Sequence, residues 1–162
     1  NIKSKFDKKY DYLSDLSTVI IAETMICQDI SDEMKGIVYE PIRKMFKEHL
    51  HDEFFHANLF KTIFKILWPQ LSSEEKEIMG QNLLDAMNIL AEPRTDIYFY
   101  SLSKIGFSYE IISKCVDDIY NNDEWKVEKA KKRMSHPLKL LDRCGVFEIQ
   151  SIKKKFEHRG FI

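Results

Sequence analysis

The chain has 162 residues, enough for one domain that buries a substantial core. Hydrophobic residues make up 44% of it and charged residues 31%, as in an ordinary soluble globular protein. Lys and Arg number 25 against 26 Asp and Glu. The resulting net charge of −1 gives no indication of binding to nucleic acid or to an anionic membrane.

A helical period runs along the whole sequence, and only 5 Gly and 4 Pro interrupt it, so the sequence predicts an all-α fold. The first helix is predicted from about Asp7 to Cys27, followed by a polar break over 28–32 and a short helix that ends near Gly36. A second long helix is predicted over 40–67, with Pro41 in its first turn and Pro69 just after its end.

Shorter helices are predicted in the second half of the chain. Ser72 and Glu75 form a capping box that opens a helix to about Leu90. Further helices are expected over 95–105, 108–120 and 123–132, with a turn at 121–123. After an interruption near Pro137, helices follow over 138–144 and 148–158, and glycines end several of these segments. The whole chain, 1–162, is predicted to be a single all-α domain.

Three cysteines, Cys27, Cys115 and Cys144, are widely spaced and odd in number. This pattern is typical of buried thiols in a reducing compartment rather than of a disulfide framework. It therefore predicts a cytoplasmic protein. The longest apolar runs, such as 18–22, are too short to span a bilayer.

The residues that indicate chemistry lie on the second long helix. At about 100° per residue, His49, Glu53 and His56 lie at roughly 0°, 40° and −20° around the axis, within about two turns. Apolar residues share this stripe, so it is expected to face the interior. Two imidazoles and a carboxylate are unfavourable there unless they are paired or bound to a metal. In ferritin-like bundles a Glu-x-x-His element, here Glu53 to His56, supplies a bridging carboxylate and an imidazole.

A dinuclear site of this kind needs a second carboxylate from a neighbouring helix, and Glu23 lies in an otherwise apolar stretch of the first helix. Thirty residues separate it from Glu53, enough for one helix to end and the next to return antiparallel beside it. The sequence therefore predicts that Glu23, His49, Glu53 and His56 are metal ligands.

Three neighbouring residues have two interpretations each. Asp52 lies close to the ligand stripe, where it would either orient a ligand histidine or pair with a lysine on the outer surface. Phe54 and Phe55 have the spacing of core residues, but they would also fit the lining of a substrate cavity.

The remaining histidines are not expected to bind metal. His51 lies about 200° from His49, on the outer face of the helix. His136 and His158 lie beside helix ends and charged neighbours, where surface or capping roles are expected.

Together these residues resemble the AurF-like p-aminobenzoate N-oxygenase family. The resemblance covers nearly the whole chain and lies in the segments IIAETMICQDIS, EHLHDEFFHANLF, ILWPQLSSEEK and LLDRCGVFEIQSIKKKFEHRGF. It implies a ferritin-like bundle that holds two iron ions, activates O₂ and oxidises an aromatic amine. It also implies that Glu23, His49, Glu53 and His56 are the ligands, with His49 as the additional imidazole of this family. The same ligand types also suit manganese.

The chain departs from the family in one respect. The family has an upstream helix pair that contributes another glutamate and another Glu-x-x-His, and neither precedes Glu23 here. One interpretation is that the chain, which begins at Asn1 without an initiator methionine, is the C-terminal portion of a longer oxygenase, and the sequence favours this one. The other is a homodimer in which a second copy supplies the missing ligands.

The expected partners are therefore a small amine, O₂, an external electron donor and a second copy of the chain. Two other functions fit the sequence. One is a ferritin-like protein that binds or stores metal without a substrate, and the other is a helical interaction module without metal.

Overall fold

The computed structural model describes residues 10–92, 94–120 and 123–162, with the side chains of these ranges apart from 123–127. Every regular element in these ranges is helical, which confirms the all-α prediction. None of the helices combines the length and the apolar character that crossing a bilayer would require. The α-helices are Asp11–Met34 (α1), Glu40–Leu67 (α2), Ser73–Ala91 (α3), Thr95–Lys104 (α4), Tyr109–Tyr120 (α5), Asp123–Arg133 (α6), Ser135–Arg143 (α7) and Gln150–His158 (α8).

Helix α1 is the centre of the fold, since α2, α3 and α7 all pack against it. Its apolar residues join those of α3, α7 and α8 in one core, and at Gly80 the side chain of Ile152 occupies the space that a Cβ would need. The fully buried residues of this core include Leu13, Ile20, Met79, Leu83, Met87, Leu141, Ile152 and Phe156.

Helix α2 contributes much less to the core than its length suggests. It runs for 28 residues, yet only Ala57 and Phe64 in it are buried. The short connection 35–39 returns it antiparallel along α1, which covers one side of it. Much of the rest of its surface is exposed, including several large apolar side chains.

Several predicted helix ends are confirmed. Helix α2 has the bounds that the two prolines indicated, and Ser72 and Glu75 form the predicted capping box at the start of α3. Ser108 caps α5 through the backbone N–H of Ile111. Gly106, Gly145 and Gly160 have positive φ angles at the ends of α4, α7 and α8, a conformation that glycine adopts without strain.

The predicted break after Cys27 is wrong, because α1 continues to Met34. Tertiary ion pairs accommodate the polar residues of this segment within the helix. Asp29 binds Arg133, and Asp32 pairs with Lys132. Ile30, which lies between them, is buried. The predicted start at Asp7 lies outside the described residues.

The interruption near Pro137 is also misplaced. The helical structure is interrupted at Met134, between α6 and α7, and Pro137 is the third residue of α7. In the first turn of a helix a backbone N–H has no intrahelical acceptor, so the proline loses no hydrogen bond and is tolerated there. The last helix begins at Gln150 rather than Glu148, after a 3₁₀ turn at Val146–Glu148. The predicted turn at 121–123 lies partly outside the described residues.

The thiols are less buried than the sequence suggested. Cys115 is exposed on α5, while Cys27 and Cys144 are half-buried, and all three are free. The expectation of a buried thiol is therefore wrong for Cys115. Helix α5 packs mainly against α4, away from the core around α1, so much of its surface stays in contact with solvent.

Arg133 joins three helices and should contribute measurably to stability. Its guanidinium donates to the Asp29 carboxylate at 2.7–3.0 Å and to the Leu90 carbonyl at 2.6 Å. We expect Arg133→Ala to lower the free energy of unfolding by about 1–3 kcal/mol, because charge-assisted hydrogen bonds are lost. Chemical denaturation measures this change. The exposed Lys131, on the same helix, is the control, and equal losses from Lys131→Ala and Arg133→Ala would contradict this role.

Candidate metal centre

The antiparallel packing of α1 and α2 places Glu23 beside Glu53. At 1.5 Å per residue, Glu23 lies about 17 Å before the end of α1 and Glu53 about 20 Å after the start of α2. Because the connection between these helices is short, the two positions fall at the same level of the helix pair. Residues thirty apart in the sequence therefore become neighbours.

Glu53 is the centre of the resulting cluster. Its carboxylate oxygens lie 3.3 Å from His56 Nδ1 and 3.5 Å from His49 Nε2. Glu23 Oε2 lies 3.8 Å from the same His56 nitrogen. Donor atoms of Glu23, Glu53 and His56 all come within 4.8 Å of one another, close enough to share one metal ion.

The cluster concentrates negative charge where water is partly excluded. The Glu53 side chain is 12% exposed and that of Glu23 is 27% exposed. Burial raises the pKa of Glu23, and so do the charge of Glu53 and a hydrogen bond with it, while His56 opposes these effects. The Oε2 atom of Glu23 is buried and accepts no hydrogen bond within the described ranges. A cation, or a proton shared with Glu53, would satisfy it.

The donor set fits a first-row transition metal. Carboxylate oxygen and imidazole nitrogen together suit iron, manganese and zinc, whereas Mg²⁺ and Ca²⁺ prefer oxygen ligands. In the described part of the chain, no other group of three His, Cys, Asp or Glu side chains comes close enough to hold an ion. The structure thus brings together three of the four predicted ligands, with His49 adjoining them.

The prediction that the whole ligand stripe faces the interior is wrong. Glu53 is largely covered, but the His49 and His56 side chains are 55% and 56% exposed. The reason is that α1 covers only one side of α2. The histidines lie on the side next to that contact, at the edge of the helix pair.

Neither interpretation of Asp52 is realised within one chain. Asp52 is exposed, and no hydrogen bond or ion pair links it to a histidine or a lysine among the described residues. Lys44 lies beside Glu48 instead, at 4.0 Å. The contacts that the sequence indicated for Asp52 are therefore not made by the described part of the chain.

The two phenylalanines between Glu53 and His56 are too exposed to line a closed cavity. Phe54 and Phe55 are both more than half exposed, so neither is a core residue. Phe55 packs edge-on against His51 at 4.9 Å, and His51 is exposed on the outer face, as predicted. Helical periodicity placed these residues on neighbouring faces of α2 but overestimated how much of α2 is covered, and the ligand assignment stays a prediction.

His136 and His158 take no part in the cluster. His136 is half-buried in the first turn of α7. Burial lowers the pKa of its imidazole, and the positive charges of Lys61 and Lys139 lower it further. His158 is the last residue of α8 and is exposed. Both positions agree with the helix-end locations expected from the sequence.

Cys27, which the sequence predicted only as a buried thiol, is a neighbour of the cluster. Burial raises the pKa of its thiol, and the charges of Glu53 and Glu23 act in the same direction, while Lys61 opposes them. The thiol therefore stays protonated beside the carboxylates. Its position one helical turn after Glu23 was the available signal.

The fold and the cluster define an all-α protein with a carboxylate–imidazole group that could bind a metal ion. No protein-family model, curated protein or solved structure matches the chain.

The raised pKa of Glu23 predicts a pH-dependent effect in protein freed of metal by a chelator. Because the folded state disfavours the ionised carboxyl, stability is lost as the pH rises through the folded pKa, above the ordinary value of 4.5. Glu23→Gln cannot ionise, so it should melt at a higher temperature than the parent chain at pH 7. Thermal unfolding from pH 4 to pH 8 measures the difference.

The difference between Glu23→Gln and the parent should shrink as the pH falls towards 4, where the parent carboxyl is protonated too. Glu33→Gln, at an exposed position of the same helix, is the control and should change little. A Glu23→Gln variant that is less stable at every pH would show that the ionised carboxylate is well accommodated without metal.

Proposed function

We propose that this chain provides half of a carboxylate-bridged dinuclear iron centre that activates O₂ and oxidises an amine nitrogen of a small, aromatic substrate. The observation that carries the proposal is the convergence of donor atoms of Glu23, Glu53 and His56 within 4.8 Å, with one buried Glu23 oxygen that no described residue hydrogen-bonds. Such a cluster is unfavourable by itself, because it gathers two carboxylates in a partly desolvated position. A divalent cation removes that disadvantage.

Each residue has a distinct role in this proposal. Glu53, which lies between the other donors, would hold metal through its central carboxylate, and Glu23 would supply a second carboxylate from the adjacent helix. His56 and His49 provide imidazole nitrogen on either side of Glu53 along α2. Iron bound by these residues would supply the redox chemistry with O₂, which the side chains of the chain cannot supply themselves.

The ligand set within one chain is half of what a dinuclear bundle uses. Such bundles take one Glu from each of two helices and a Glu-x-x-His from each of two others. This chain has one of each, in Glu23 and in Glu53 to His56. The exposure of both histidines agrees with a site that another surface must complete.

Oxidation of nitrogen rather than carbon rests on the family resemblance of the segments around Glu23 and His49. Conversion of an amine to a hydroxylamine places one oxygen atom of O₂ in an N–H bond and reduces the other to water. This reaction consumes two electrons and two protons, so the proposal includes an external electron donor.

A metal-free helical interaction module is the second candidate. It is favoured by exposed apolar residues on and between α4 and α5, among them Tyr100, Ile105 and Tyr109. A ferritin-like storage role would use the same cluster without a substrate, and no separate structural observation favours it. Metal content separates the interaction module from the other two functions.

Replacement of Glu53 should abolish most metal binding. After loading with Fe(II) without oxygen, or with Mn(II), and removal of unbound ions, elemental analysis should find less than about a tenth of the parent metal content in Glu53→Ala, because the central carboxylate is gone. His51→Ala changes a neighbouring imidazole that points outward, so its metal content should equal that of the parent. Equal metal contents in the two variants would disprove the assignment of the ligand face.

The reaction is tested with the iron-loaded protein, O₂ and a reductant. Aryl amines should give hydroxylamine or nitro products, identified by mass spectrometry, whereas alkyl and fatty substrates should not react. Glu53→Ala is the control for iron released into solution and should give no product. Hydroxylation of carbon without oxidation of nitrogen would retain the dinuclear oxygenase and exclude the N-oxygenase.

A further inference from the structure

Helix α2 carries two parallel rows of residues with coiled-coil spacing. One row packs along α1 and contains Glu53 together with the buried Ala57 and Phe64. The second row, here called the open row, has the same alternation of three and four residues. It consists of Ile42, Met45, His49, Asp52, His56, Leu59, Ile63 and Ile66.

The open row is exposed although most of it is apolar. Ile63 is partly buried, while Ile42, Met45, Leu59 and Ile66 are between 44% and 60% exposed. An apolar row of this length along one helix is typical of a surface that packs against another helix. The polar residues of the row lie in its middle, at the level of the Glu53 cluster.

The open row is complementary to itself in the reverse direction. When two copies of α2 are laid antiparallel so that their Phe54 positions lie at the same level, three of the four pairs formed along the row join residues of matching character. The pairs are Ile42 with Ile66, Met45 with Ile63, His49 with Leu59, and Asp52 with His56. Only the pair of His49 and Leu59 joins a polar residue to an apolar one. A two-fold dimer requires this reciprocal pairing.

We propose that a second copy of this chain covers the open row and completes the metal centre. The inference rests on the proposed function, since two copies of Glu23, Glu53 and His56 give the full ligand set of a dinuclear bundle. Asp52, for which the described residues provide no partner, faces His56 of the partner subunit and holds that imidazole in position. Asp52 is thus a positioning residue that acts across the interface.

Charge links dimer formation to metal binding. The dimer gathers two Glu23 and two Glu53 carboxylates near its axis, and these repel one another without cations. Two divalent ions balance the four negative charges. Metal binding should therefore favour the dimer, and removal of metal should favour the single chain.

The test is sedimentation velocity on the 162-residue chain, with a chelator and with Mn(II). We expect a mass of 19.3 kDa with the chelator and twice that mass with Mn(II), at about one ion per chain. The electron paramagnetic resonance spectrum should be that of an exchange-coupled manganese pair, since ions in two-metal sites lie about 3.5–4 Å apart.

Leu59→Lys tests whether the open row is the interface. It should raise the dissociation constant of the Mn(II) dimer at least about tenfold, because the lysine would have to be buried between the two open rows. The matched control is Phe54→Lys, which changes an equally exposed apolar residue about 140° away around α2. A dimer that both variants leave intact would overturn the proposal.

Asp52→Asn tests the positioning role. It should leave about one manganese ion per chain but alter the spectrum of the coupled pair. If Asp52→Asn gives the same spectrum as the parent chain, Asp52 does not have this positioning role. A chain that binds Mn(II) but stays at 19.3 kDa would overturn the dimer and leave the proposed function standing. A chain that binds no Mn(II) would overturn the proposed function itself.

Discussion

The packing of α1 against α2 holds the carboxylates of Glu23 and Glu53 in one partly desolvated position, and the rest of the site depends on this contact. Glu53 is the more covered of the two, at 12% exposure, and His49 and His56 flank it one turn away on each side. Burial, and after it the neighbouring Glu53 carboxylate, raises the pKa of Glu23, and one Glu23 oxygen has no hydrogen-bond partner among the described residues. Such an arrangement persists only because the core that surrounds α1 is extensive enough to impose it.

The position of that core determines which side of the cluster is exposed to solvent. Helix α1 is packed by α2, α3 and α7, so its position is fixed from several sides. Helix α2 is held along one side only, and its remaining surface includes both the histidines and the open row. The exposure of the histidines and that of the open row therefore have a common origin in the unequal packing of these two long helices.

The unequal packing also explains why several side chains of α2 are exposed in the described part of the chain. Asp52 is an exposed carboxylate beside two exposed imidazoles, and Leu59 and Ile66 are apolar side chains in water. A surface that is apolar at its ends and polar at its centre suits a partner with the same pattern. The exposed aromatic residues of α4 and α5 differ in this respect, because no group of potential metal ligands lies on these helices within the described residues.

The sequence by itself determined the all-α class, the bounds of α2 and the capping box at Ser72, because helical periodicity, proline and capping chemistry act over a few residues. The same periodicity selected Glu23, His49, Glu53 and His56 as candidates, three of which the fold brings within reach of one ion. It did not determine that α1 continues past Cys27, because the contacts of Asp29 and Asp32 come from α6, about a hundred residues later. Nor did it show that the histidines and Phe54 are exposed. Periodicity identifies which residues share a face of a helix, but only the tertiary structure decides whether another helix covers that face.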